Sequence, residues 1–119
     1  NDKTEEIIIR TREKMRSGIS VKGNFIENKY IEDYIRNILS TFKGLDGPIG
    51  FQLKESNLKK FLLLECNPRL QGSSVSAMGI GINIPVRVLK NKLNILQEKI
   101  PRKKDVSFSK YYTEIFYES

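Results

Sequence analysis

Apolar positions fall into short blocks whose spacing changes along the chain, and each change marks a different element. Between residues 5 and 15 the triplet Ile7-Ile8-Ile9 leads into Arg10, Arg12 and Lys14 at every second position, the period of a strand with one charged face. The stretch Ser17 to Gly23 holds two glycines and reads as a loop or turn, with Gly18 and Gly23 as its turn residues. From Glu27 to Lys43 the apolar residues Tyr30, Ile31, Tyr34, Ile35, Ile38, Leu39 and Phe42 recur at three and four, which predicts an amphipathic helix. Gly44 and the pair Gly47-Pro48 end it. Ile49 to Glu55 and Lys60 to Cys66 read as two strands of a hairpin around a polar connector, Ser56 to Lys59. A polar loop follows from Asn67 to Ser74, then a short helical turn from Val75 to Met78 that Gly79 and Gly81 break. Pro85 opens a second helix with the stripe Val86, Leu89, Leu93 and Leu96. Lys99 to Lys104 reads as a solvated connection, and Phe108 to Tyr117 as a terminal aromatic strand. This order predicts an α+β fold, a mainly antiparallel sheet with helices packed on it, as a single domain over residues 1–119.

Composition narrows the chemistry. With 39% hydrophobic residues the chain can build a core. No apolar run approaches the roughly 20 residues a membrane span needs, and no hydrophobic signal segment opens the chain, so a cytoplasmic protein without membrane contact is expected. The start at Asn1-Asp2-Lys3, running almost at once into an apolar strand, reads as a piece of a longer protein. The sequence has 21 Lys and Arg, 14 Asp and Glu, no His and a single cysteine, Cys66. An internal disulfide is therefore excluded, a zinc site nearly so, and Ser-His-Asp or Cys-His catalysis cannot operate within the chain. Carboxylates, amides, Lys and Arg remain, a set suited to oxygen-liganded Mg²⁺ and to phosphate.

The stretches Gly50-Phe51-Gln52-Leu53-Lys54 and Leu62-Leu63-Leu64-Glu65-Cys66-Asn67-Pro68-Arg69 carry that set. Glu65 and Asn67, two apart on a strand, project from one face. If the hairpin centre falls between Leu58 and Lys59, Gln52 pairs directly across from Glu65 and three oxygen ligands converge. Arg69, just beyond, can reach a phosphoryl group or a carboxylate with its planar fork. Cys66, on the opposite face by alternation, reads as a buried small hydrophobe.

The segment LLLECNPRLQGSS resembles the E-x-N-P-R segment in the C-terminal lobe of ATP-grasp enzymes, and the extended NPRLQ is closest to the carbamoyl-phosphate synthase large chain and biotin carboxylase branch. The flanks from Arg10 through Gly18-Ile19-Ser20 to Gly50-Phe51-Gln52 match in order, so the resemblance covers roughly residues 7 to 117. It implies Gln52, Glu65 and Asn67 as metal ligands, Arg69 beside the γ-phosphate and acyl-phosphate, and Leu64 against the adenine. Arg10 and Arg12 would border the phosphate and substrate cavity, and Gln71, Gly72 and Ser73 the acceptor side. ATP with Mg²⁺ or Mn²⁺ would convert a carboxylate or bicarbonate to an acyl-phosphate that an amine or ammonia attacks. The family closes its site with a second, N-terminal lobe, so that lobe is an expected partner and the isolated chain is expected to be inactive. Homo-oligomerisation is open. Two other readings stand beside this one: a degenerate ATP-grasp lobe with a structural or regulatory role, and a basic interaction module suggested by the net charge of +7. No recognition helix or stacking motif supports a nucleic-acid partner.

Overall fold

A computed structural model of the chain describes residues 6–118, so Glu5, at the edge of the first expected strand, lies outside them. The fold is α+β with antiparallel pairing throughout the described residues. Its first sheet is organised around one long strand, β3 (Ile19–Ile26). The expected first strand forms as two short pieces, β1 (Ile9–Arg10) and β2 (Lys14–Arg16), which run in succession along one edge of β3. Between them the backbone stays bonded to that edge, Thr11 N–H donating to Asn24 O (2.8 Å) and Glu13 N–H to Lys22 O (3.0 Å).

β3 itself lies where the sequence reads as a loop. Only Ser17 and Gly18 turn: both have positive φ (49° and 75°), the two-residue geometry that matches strand twist, and Arg16 pairs with Ile19 directly across it. Gly23 is therefore a mid-strand residue and not a turn residue. A Cβ there would meet the Thr11 carbonyl oxygen at 2.1 Å, so the glycine is what allows the neighbouring strand its close approach.

α1 (Lys29–Ser40) is shorter than the apolar spacing alone predicts, because Asn28 caps it: its Oδ1 accepts from Ile31 N–H at 3.1 Å. Ile31 and Ile35 form its buried face. β4 (Gly50–Glu55) and β5 (Phe61–Asn67) then make the expected hairpin as a separate two-stranded sheet. Its register runs Gly50 to Asn67, Phe51 to Cys66 and Gln52 to Glu65, then shifts at a bulge so that Leu53 faces Leu63, Lys54 faces Leu62 and Glu55 faces Phe61. Leu64 is the extra residue. Cys66, expected as a buried small hydrophobe, does not meet that expectation, since it is exposed.

A 3-10 helix (Ser74–Ile80), longer than the expected turn, ends at Gly81 in the left-handed region (φ 88°). Together with Ile82 just beyond its cap it supplies the core: Ala77, Ile80 and Ile82 are buried against Ile8, Phe25, Ile84 and Val106. α2 (Ile84–Lys92) starts under an Asn83 cap with Pro85 in its first turn. It stops early because Asn94 (φ 53°) turns the chain back, with Ile95 N–H bonded to Lys90 O and Asn94 N–H to Asn91 O. The stripe Val86, Leu89, Leu93 and Leu96 is exposed, Leu96 at 91%.

The connection from Lys99 to Lys104 is not wholly solvated. Arg102 donates from Nε and Nη2 to Glu6 Oε1 (3.0 and 2.8 Å), and Glu6 Oε2 takes Arg87 of α2. One carboxylate thus ties together three segments far apart in sequence. The expected terminal strand is short: β6 (Ser107–Ser109) lies on the free edge of β3, and pairing stops after Lys110 N–H reaches Val21 O at 2.7 Å. Two residues further, β3 has reached its turn and offers no further partner. Tyr111 to Tyr117 carry on without strand structure, Tyr112 lying under the Arg16 guanidinium.

Candidate functional site

The hairpin register assembles the sequence-predicted residues. Gln52 and Glu65 are direct cross-strand partners, and Asn67 is two residues beyond Glu65, so the three share one face. Asn67 Nδ2 donates to Glu65 Oε1 at 2.6 Å, which fixes the amide and leaves Asn67 Oδ1 and Glu65 Oε2 as acceptors. Gly50, opposite Asn67, completes the face. The place a Cβ would take there is filled by the Gln71 side chain, whose Nε2 lies 1.7 Å from that position, so only glycine admits Gln71 beside the three oxygen-bearing residues. Phe51, Leu53, Phe61 and Leu63 occupy the other face, and Phe61 meets Tyr30 of α1 with ring centroids 6.1 Å apart.

A cleft of about 1900 Å³, larger than the roughly 300–1,000 Å³ of a single small-molecule pocket, opens between the first sheet, α1 and the hairpin, which borders it with Phe51, Leu53 and Phe61 as well as with Gly50 and Gln52. Its wall includes Arg10, Arg12, Gln52, Arg69, Gln71 and Ser73. Glu65, exposed, and Asn67, half-buried, sit next to Gln52 without lining the cleft themselves. Leu64 is 62% exposed and, as the bulge residue, escapes the strict alternation that would set its face.

One arginine joins the two sheets, and a second is held within the sheet around β3. Arg12 donates Nη1 to Gln52 Oε1 (2.6 Å) and Nη2 to Gly18 O (2.9 Å), linking the hairpin to the turn before β3. Arg10 stacks over Phe108, 5.8 Å from the ring centre. Burial, and secondarily the charge of Arg12, hold its guanidinium below the usual arginine range. Arg69, exposed, donates only to the carbonyl of its neighbour Leu70 and is otherwise available. The loop of Gln71, Gly72 and Ser73 is pinned by Lys110, whose ammonium donates to Gly72 O at 3.1 Å.

Sequence reasoning missed the Arg12–Gln52 bond, the Phe108 stack, Lys110 and the role of Gly50. Gly50 alone carried a signal, a glycine at the start of a strand where a close approach is common.

The donor set is one carboxylate and two amides. Among the described residues no group of three or more acidic, Cys or His side chains gathers to hold a metal ion, so Glu65 is the sole acid of the set. Its oxygens fit Mg²⁺ in kind, with one condition: Gln52 Oε1 already accepts from a cation, and Arg12 must release it before it can serve as a ligand.

Oxygen-bearing side chains on a hairpin face with arginines close by are groups suited to phosphate. The chain belongs to the ATP-grasp family: residues 1–114 match the family model described as ATP-grasp in the biosynthetic pathway with Ter operon. A search of curated proteins finds no match. ATP-dependent ligase chemistry is the general activity of this family, and among the described residues no helix is long and apolar enough to cross a membrane.

Proposed function

We propose that this chain is the nucleotide-facing C-terminal lobe of an ATP-grasp ligase that activates a carboxylate as an acyl-phosphate for attack by an amine, as in carbamoyl-phosphate synthase-like enzymes. The observation that carries the reading is the pairing of Gln52 with Glu65, which sets both beside Asn67 on one face next to a cleft lined by Arg12 and Arg69. Glu65, Asn67 and, once released, Gln52 would hold Mg²⁺, which when bound neutralises triphosphate charge. Leu64, exposed next to Glu65, is the apolar surface offered to the adenine.

The chain's own residues do the rest by electrostatics. Arg69 is free to stabilise the oxygens of a transferring phosphoryl group, whose charge grows where a fixed guanidinium acts best. Arg12, exposed and hydrogen-bonded to Gln52, would exchange that amide for a phosphate oxygen, coupling nucleotide arrival to release of the metal ligand. A second lobe supplies the opposite wall of the cleft. The exposed apolar side chains around the hairpin, Leu58, Leu62 and Leu64, support a partner surface there.

The test is ADP release by the full-length protein against a panel of carboxylates and amines. Glu65→Gln and Arg69→Ala should each lower kcat by about a hundredfold or more, the size typical of losing one charge-stabilising group. Unchanged turnover in both variants removes the assignment, and a full-length protein that binds Mg-ATP without turnover identifies a degenerate lobe. Micromolar Mg-ATP binding by the isolated chain would contradict the need for a second lobe.

A further inference from the structure

Arg10 differs from every other arginine on the cleft wall. Arg12 spends both Nη groups on Gln52 and Gly18, and Arg69 is exposed. Arg10 is half-buried, its Nη1 is enclosed without a hydrogen-bond partner, and among the described residues no carboxylate pairs with it. Its position is nonetheless well determined: β1 pairs Arg10 with Phe25, Phe108 lies under the guanidinium, and those two rings pack 5.8 Å apart. A guanidinium partly taken out of water without an anion is costly, and one held on a cleft wall is reasonable when an anion comes from outside. A second enclosed donor without a partner, Gln71 Nε2, lines the same cleft.

We propose that Arg10 is the docking point for an oxyanion of the second substrate, a carboxylate or phosphate group remote from the atoms that react. The substrate class follows: a ligand that keeps a negative charge after its reactive carboxyl has been consumed, not a neutral acid or bicarbonate. The inference rests on the ligase reading only for calling that ligand a substrate; the oxyanion site itself stands on the unpaired guanidinium, its ring stack and the cleft.

The experiment is isothermal titration of the full-length protein with glutarate, with inorganic phosphate and, separately, with Mg-ATP. At least one of the two small anions should bind saturably. Arg10→Met should weaken that anion by roughly tenfold or more, the loss expected when a charged hydrogen bond is removed. Arg10→Lys, which keeps the charge without the planar fork, should recover part of the affinity and guards against a Met variant that fails to fold. Glutarate binding without phosphate binding assigns a carboxylate, and the reverse assigns a phosphate. The proposal is overturned if neither anion binds, if both variants bind them as the native protein does, or if the variants lose Mg-ATP while keeping the small anions, which would assign Arg10 to the nucleotide. An Arg10-dependent anion site in a protein that does not bind Mg-ATP would uphold the oxyanion site and defeat the ligase reading.

Discussion

The sheet around β3 and the β4–β5 hairpin are both antiparallel, yet they hold their shapes in different ways. β3 is covered on both edges, by β1 and β2 on one side and β6 on the other, and packs with the 3-10 helix around Ala77, Ile80 and Ile82. The hairpin has two strands, and in β5 Leu62 and Leu64 are 52% and 62% exposed. A two-stranded hairpin is at best marginally stable in water by itself. Here its position depends on Tyr30 packing against Phe61, on the Gln71 side chain seated over Gly50 and on the Arg12–Gln52 bond. The metal-site candidates thus ride on the less supported element and the unpaired Arg10 on the better supported one. The radius of gyration, 16.1 Å against about 13–14 Å for a compact domain of this length, fits an open arrangement of the two.

The two sheets should respond most differently when core volume is removed from one side only. Ile82→Ala, at a side chain 1% exposed, should cost about 3 kcal/mol by urea denaturation. Gly23→Ala should cost about 2 kcal/mol, because the added carbon meets a backbone carbonyl that the β1–β3 pairing holds in place. Glu6→Gln, which weakens pairs to two arginines that are each about a third exposed or less, should cost about 1–2 kcal/mol. Only this third loss should shrink as salt is raised in the same titrations. Leu62→Ala in the hairpin should cost less than about 0.5 kcal/mol, the usual ceiling for an exposed site. Hydrogen exchange sharpens the contrast without mutation: the amides of β4 and β5 should exchange before those of β3. Equal protection of the two would mean that the hairpin is held as firmly as the core.

What was legible in the sequence is what is decided locally. The helix from Tyr30 onward follows from its own spacing. The Gln52–Glu65 pairing is as expected but for a different reason: Glu55 faces Phe61, so the turn centres on Leu58 and not between Leu58 and Lys59, and the surplus Leu64 brings Glu65 opposite Gln52. β3 was hidden because two closely spaced glycines look alike on paper although they act differently, Gly18 in a turn and Gly23 under a carbonyl. Glu6, Arg87 and Arg102 are separated by 81 and 96 positions, and no local pattern links them. The exposed stripe of α2 has the periodicity of a buried face, since spacing records which side is apolar and not whether anything covers it. At the site, residue types were readable, but the Arg12 contact that occupies Gln52 depends on a meeting 40 positions apart.

The bulge at Leu64 works as a change of phase. Under strict alternation Phe61, Leu63, Glu65 and Asn67, all odd-numbered, would share a face, and the acid would stand among the rings and leucines. One surplus residue lets Phe61 and Leu63 turn toward Phe51 and Leu53 while Glu65 and Asn67 stay with Gln52. The hairpin is therefore sensitive to the number of leucines before the glutamate more than to their identity. Replacing Leu64 by another residue leaves the phase intact, whereas deleting it would move the charge to the wrong side of the sheet or force the apolar positions to trade places.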